Sequence, residues 1–117
     1  MSYIDGFVLA VPKENKKAYI CHAVDAAKVI NEYGALNLVE CRGDDVPDGE
    51  VTSFPMAVNC KEHEVVCFSW ITWPSKQVRD EGMANAMADP RLSPEVNPMP
   101  FDGKRMIFGG FDIIVNE

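Results

Sequence analysis

Two thiols and an imidazole fall within eight residues in Cys60-Lys61-Glu62-His63-Glu64-Val65-Val66-Cys67, a mixture that suits zinc. A structural zinc site needs four N or S ligands. The fourth would have to come from Cys41 or from the Cys21-His22 pair, and no second pair has finger-like spacing. Cysteines packed as small hydrophobes beside a polar turn are the better reading, and no metal is expected. The acidic segment 44–50 invites a test for calcium. An EF-hand loop starting at Asp44 needs an oxygen ligand where Val46 stands and a glutamate where Pro55 stands, so it fails twice. Pro47-Asp48-Gly49 is turn chemistry. No nucleophile and base are paired: Ser69 lies inside an apolar run, and His22 sits at the edge of a helical apolar stripe, packed or solvated. Gly109-Gly110 follows an apolar run but opens no helix, so it marks a bulge or a close approach and not a phosphate loop. Nothing here asks for a cofactor.

Polar residues inside apolar runs are stronger leads. Asp5, Glu40, Ser69 and Asp112 interrupt segments that otherwise call for burial. A buried acid must be paired or protonated, and such positions concentrate at functional sites. The competing reading is exposure at a strand end, or a structural ion pair with Arg79 or Arg105. Arg105 is expected to fork onto Asp5 or Asp112, or else to hold an anionic ligand. The candidate site set is therefore Asp5, Glu40, Ser69, Trp70, Arg79 and Arg105, with Trp70 as an aromatic wall.

Strands and helices to carry these residues are predicted along the chain. Tyr3 to Val11, Leu36 to Cys41, Val65 to Trp73 and Met106 to Val115 are rich in β-branched and aromatic residues and bounded by Gly, Pro or Asp, which predicts four strands. Tyr19, Ala23, Ala26, Ala27, Ile30 and Tyr33 recur at helical spacing, predicting a helix from about Glu14 to Tyr33, with Gly34 as its C′ residue. Ser75 is a good N-cap for a second helix reaching about Asp89, where Pro90 stops it. Segment 51–60, interrupted by Pro55, reads as a loop leading to a short extended piece. Residues 90–104 hold four prolines and read as an ordered arm, with Asp102-Gly103 as a tight turn in which Gly103 takes positive φ. Lys104 and Arg105 then enter the last strand.

The order β-α-β-β-α-β predicts an α+β, ferredoxin-like domain with a four-stranded antiparallel sheet spanning residues 1–117. A weak internal echo agrees: Val11-Pro12-Lys13 and Trp73-Pro74-Ser75 both read strand, proline, helix start.

At 117 residues the chain is one domain, and its net charge of −7 opposes nucleic acid or anionic membrane as a partner. The N-terminus has no basic n-region, no apolar run approaches a membrane span, and the cysteines read as reduced, which predicts a soluble cytoplasmic protein.

Both helices of such a domain cover one sheet face. A monomer would make the other face polar, yet Val66, Phe68 and Trp70 oppose Val65, Cys67 and Ile71, so the strands are apolar on both sides. The bare face measures about 350 Å² in projection, near what a monomer tolerates. A second copy packed about a two-fold axis is the expected cover, making a homodimer; the alternative cover is the proline-rich arm.

Tyr3-Ile4-Asp5-Gly6-Phe7, Val39-Glu40-Cys41, Asp45-Val46-Pro47-Asp48-Gly49, Phe68-Ser69-Trp70, Arg79-Asp80, Asp89-Pro90-Arg91 and above all Met99-Pro100-Phe101-Asp102-Gly103-Lys104-Arg105-Met106-Ile107 with Gly109-Gly110-Phe111 resemble the bacterial YbaA-like family, domain of unknown function 1428. The resemblance runs from Tyr3 to nearly the last residue. It implies a dimeric α/β-barrel fold and no assigned activity or catalytic residue. Two functional readings follow: a small-molecule enzyme or binder using the cleft between sheet and helices, or a non-catalytic homodimeric module that binds another protein.

Overall fold

Alternation along the chain decides which way each strand faces. A computed structural model describes residues 2–117. The sheet has the order β2-β3-β1-β4 and every neighbouring pair is antiparallel. β1 (Tyr3–Pro12) and β3 (Glu64–Trp73) form the ten-residue centre, with β2 (Asn37–Arg42) outside β3 and β4 (Ile107–Asp112) outside β1. With two long helices inserted as expected, α1 (Lys16–Glu32) and α3 (Lys76–Ala88), the topology is ferredoxin-like. A single turn, α2 (Phe54–Ala57), is added before β3.

The helices cover the odd-numbered side chains of β1 and β3. Near one end of the sheet, Val29, Ile30 and Ala86 bury Tyr3, Ile71 and Trp73. Near the other end, Tyr19 packs with Leu9, Val11 and Cys67, alongside Phe101 and Met106. Trp73 is fully buried, and α3 approaches it through Gly82. A Cβ there would lie 2.5 Å from the Trp73 ring and 2.6 Å from the Tyr33 carbonyl oxygen, so any side chain at 82 pushes the helix outward.

Local signals hold where they were strongest. The Ser75 hydroxyl accepts from the Val78 backbone N–H at 3.2 Å, and Gly34 ends α1 with φ of +113°. Four details differ from the sequence reading. Residues 13–15 form a 3-10 turn, so α1 begins at Lys16. Segment 51–60 is no extended piece but contains α2: Ser53 caps the Met56 N–H, and Pro55 occupies a first-turn position where no N–H is needed. Gly103 is not at positive φ; Asp102 caps a 3-10 turn over Gly103–Arg105 by accepting from Lys104 N, so Lys104 and Arg105 precede the strand. β4 stops at Asp112, opposite Tyr3 where β1 begins, and among the described residues no pairing continues beyond it.

The arm, residues 90–104, is strapped to α1. Asn97 Oδ1 faces His22 Nδ1 at 2.9 Å, its amide donates to the His22 carbonyl at 3.2 Å, and Asn15 donates to the Pro100 carbonyl at 2.8 Å. Phe101 packs edge-on against both Tyr19 and His22. The arm thus covers the helix layer and leaves the opposite sheet face to other groups. There Val58, which follows α2, buries Val8, Ala10 and Val66. The rest of that face stays open: Phe68, Ile107 and Phe111 are 43%, 46% and 58% exposed.

Candidate functional site

Across the middle of the helix-facing side runs a row of four residues, Phe108, Phe7, Ser69 and Glu40, one from each strand. The row separates the two core clusters of that side. Its β4 half is aromatic, with the Phe7 and Phe108 ring centroids 6.4 Å apart. Its β2 half is polar. Ser69 is buried beneath the helix layer, and Tyr19 descends from α1 to donate its hydroxyl to Glu40 Oε1. Ser69 stands directly opposite Glu40 on the neighbouring strand, where its hydroxyl favours the ionised carboxylate.

Glu40 is exposed as a residue at the sheet edge, but its carboxyl end is partly withdrawn from water. That desolvation raises its pKa above the usual carboxylate value, and the two hydroxyl donors offset only part of the rise. Burial, followed by the hydrogen bond to Glu40, raises the Tyr19 phenol, which keeps it a donor. Burial and then the Glu40 charge push the Cys67 thiol up to about 11, so it is an unreactive core thiol. The chemistry available is proton acceptance or donation by one carboxyl held by the Tyr19 hydroxyl with Ser69 opposite.

Asp5 and Arg79 are also brought together, as a closed structural pair. Arg79 donates through Nη2 at 2.7 Å and Nε at 3.1 Å to Asp5, and Trp73 Nε1 donates to Asp5 Oδ2 at 3.0 Å. The guanidinium also lies 5.2 Å above the Tyr3 ring centroid. Gly110 makes this possible, since a Cβ there would stand 2.3 Å from the Tyr3 hydroxyl and 2.8 Å from Arg79 Nη2. The Gly109-Gly110 pair is therefore a close-approach site. With both charges satisfied by each other, Asp5 and Arg79 anchor α3 to the sheet.

Trp70 lies on the opposite face, beside Phe68 at 5.7 Å, away from the Glu40 corner. Arg105 binds neither of the acids expected for it. Its Nη1 and Nη2 fork onto Glu64 at 2.7 and 2.6 Å, and its Nε reaches Asp102 at 3.0 Å. The 3-10 turn sets Arg105 beside the start of β3, whereas Asp5 and Asp112 lie towards the far end of the sheet. These hydrogen bonds hold the Glu64 carboxyl down at about 2. Cys60 and Cys67 pack in clusters on opposite faces of the sheet. Among the described residues, no three of His, Cys, Asp and Glu converge on a point that could hold a metal ion.

The family "Protein of unknown function (DUF1428)" matches residues 2–103. The chain belongs to this family. It is 55% identical over 117 residues, all of both chains, to "Uncharacterized protein YbaA" of Escherichia coli (strain K12), and equally so to its counterpart in Shigella flexneri.

For this DUF1428 member, sequence reasoning passed over Tyr19, Glu64 and Trp73 as polar partners. Tyr19 and Trp73 read as core residues by periodicity, and their hydroxyl and N–H were the overlooked signal, since such groups find partners when buried. Two grooves lie along the 43–48 loop, the smaller one reaching back to Arg42, two residues from Glu40. One of about 400 Å³ is lined by Lys13, Asp44, Pro55, Lys61 and Glu64, and one of about 230 Å³ by Cys41, Phe54 and Phe68. Among the described residues, no helix is long and apolar enough to cross a membrane.

Proposed function

We propose that this DUF1428 protein is a homodimeric small-molecule-binding domain whose site is the corner where α1 meets the β2 edge. One observation carries the reading: among the described residues Glu40 is a partly dry carboxyl that pairs with no basic side chain and accepts a hydrogen bond from Tyr19, with Ser69 opposite. An ionised carboxylate has roughly four acceptor positions. The one hydrogen bond from Tyr19 leaves acceptor positions that a polar ligand can fill. The other acids within the strand core, Asp5 and Glu64, are saturated by arginine.

A two-fold partner on the open sheet face is supported by the aromatic surface there. Phe54, Phe68 and Trp70 form a contiguous run, with ring centroids 6.1 and 5.7 Å apart. Phe111 lies over the Gly6–Gly109 pair, 3.5 Å from where a Gly6 Cβ would stand, and presents the outer side of its ring. Such a self-complementary apolar patch fits a sheet-to-sheet dimer.

The test of the site is a fragment screen by thermal shift and NMR on the wild-type protein and Glu40→Gln. Fragments that perturb the Glu40 and Ser69 amides in the wild type, and bind less well to Glu40→Gln, support it. A screen whose hits all lie elsewhere, in the groove lined by Lys13, Lys61 and Glu64 for instance, rejects it.

A further inference from the structure

Glu40 does not stand alone on its strand. Arg42, two residues on, occupies the same helix-facing side, because their partners Ser69 and Cys67 both face that side. Among the described residues, Arg79, Arg91 and Arg105 each hold a carboxylate at 2.7 Å or less, while Arg42 makes no ion pair. Scarcity of acids is not the reason, for the chain carries a net charge of −7 and Asp44 and Asp45 stand just past Gly43.

The α1 flank above this edge is distinctive too. His22 and Tyr33 occupy the other flank, engaged with Asn97 and Asp89. Ile20 and Val24, one turn apart, therefore line the β2 side, and both are about half exposed, at 51% and 48%. At the start of α1, the same end of the sheet as Arg42, no acid occupies the first turn and Asn15 provides no side-chain cap, which leaves that end favourable to negative charge.

We propose that the ligand is a small hydroxy acid bearing an apolar substituent, an assignment that rests on the Glu40 site above. The Arg42 guanidinium takes the carboxylate in a fork, Glu40 accepts from the hydroxyl, and the substituent lies against Ile20 and Val24. A planar guanidinium matches a carboxylate in a two-point contact, and side chains two residues apart on a strand start about 7 Å from each other, within reach of two groups on adjacent carbons. A more highly charged phosphate would be repelled by Glu40.

Amide NMR titrations with mandelate, and with its neutral counterpart mandelamide, test the class. Mandelate should shift the Glu40, Arg42 and Ser69 amides and saturate at millimolar concentration, with mandelamide weaker. Arg42→Gln should weaken mandelate about tenfold or more and leave mandelamide unchanged, while the amide spectrum reports that the variant is folded. If mandelamide binds as tightly as mandelate and Arg42→Gln changes neither, the acid class is wrong and the Glu40 site stands. If neither compound moves these amides in the wild type, the hydroxy-acid assignment is overturned, and the fragment screen then decides the Glu40 site independently.

Discussion

Arg105 grips Glu64 through both terminal nitrogens, at 2.7 and 2.6 Å, and so ties the end of the arm to the first residue of β3. Both side chains are largely buried, Glu64 almost completely. The same guanidinium donates to the Asn59 carbonyl at 2.9 Å, joining the turn after α2 to the pair. The most distinctive stretch of the family resemblance, residues 99–107, thus contains a clamp that sets where β4 begins.

Arg105→Ala should lower the melting temperature by several degrees, because it leaves the Glu64 carboxylate buried without its partner. Glu64→Gln should cost less, since a neutral amide still hydrogen-bonds. Equal losses from the two variants, or none, would remove the clamp from the account.

The clamp also predicts an acid limb. Glu64 titrates near 2 in the folded chain against 4.5 for a free glutamate. A depressed carboxyl stabilises the fold fully above about 4.5, and that stabilisation is lost as pH falls towards 2. Urea melts between pH 5 and 2 should show the midpoint falling, and Glu64→Gln should flatten the slope.

Glu40 has the opposite sign. Its raised pKa means that its contribution is intact below the ordinary glutamate value and lost as pH rises through the folded value. Glu40→Gln should therefore leave the melting temperature unchanged or raise it near pH 7, with the benefit fading below about pH 4.5, while ligand binding weakens. A strongly destabilised Glu40→Gln at neutral pH would mark Glu40 as structural.

Asp5→Ala should destabilise by about 3 kcal/mol, because it strands both the Arg79 guanidinium and the Trp73 N–H. Combined with Arg79→Met, the loss should be smaller than the sum of the two single losses, as expected when one variant has already removed the other's partner. Additive losses in chemical denaturation would deny the coupling.

Gly82→Ala sets two magnitudes against each other. Alanine gains about 1 kcal/mol of helix propensity, but its methyl would overlap the Trp73 ring and the Tyr33 carbonyl oxygen. Overpacking costs about 1–3 kcal/mol, and a backbone oxygen yields little. The variant should be less stable, and a stabilised one would show that α3 shifts freely over Trp73.

Light scattering should give twice the 13.0 kDa of the chain. Phe111→Glu, on the open face and outside all three core clusters, should yield a folded monomer. A wild-type monomer at micromolar concentration would leave the aromatic face to some other cover.

Period-2 alternation, helical spacing and the local chemistry of Ser75 and Gly34 carried the strands, both long helices and the βαββαβ order, because each rule acts over a few residues of contiguous chain. Pro55 shows where such rules thin out, since a proline that interrupts a strand equally well starts a helical turn, and the choice rested on the Ser53 cap. Asp5 was legible as a buried acid and Arg79 as one of its two candidate partners. That Arg105 instead meets Glu64, and that Tyr19 meets Glu40, was decided by tertiary structure alone. Their partners lie 41 and 21 residues away, and only the register of non-adjacent strands and the seating of α1 and the arm bring them within hydrogen-bond distance. Many pairings of these acids and donors satisfy the local rules equally well, and one arrangement of the whole chain selects among them.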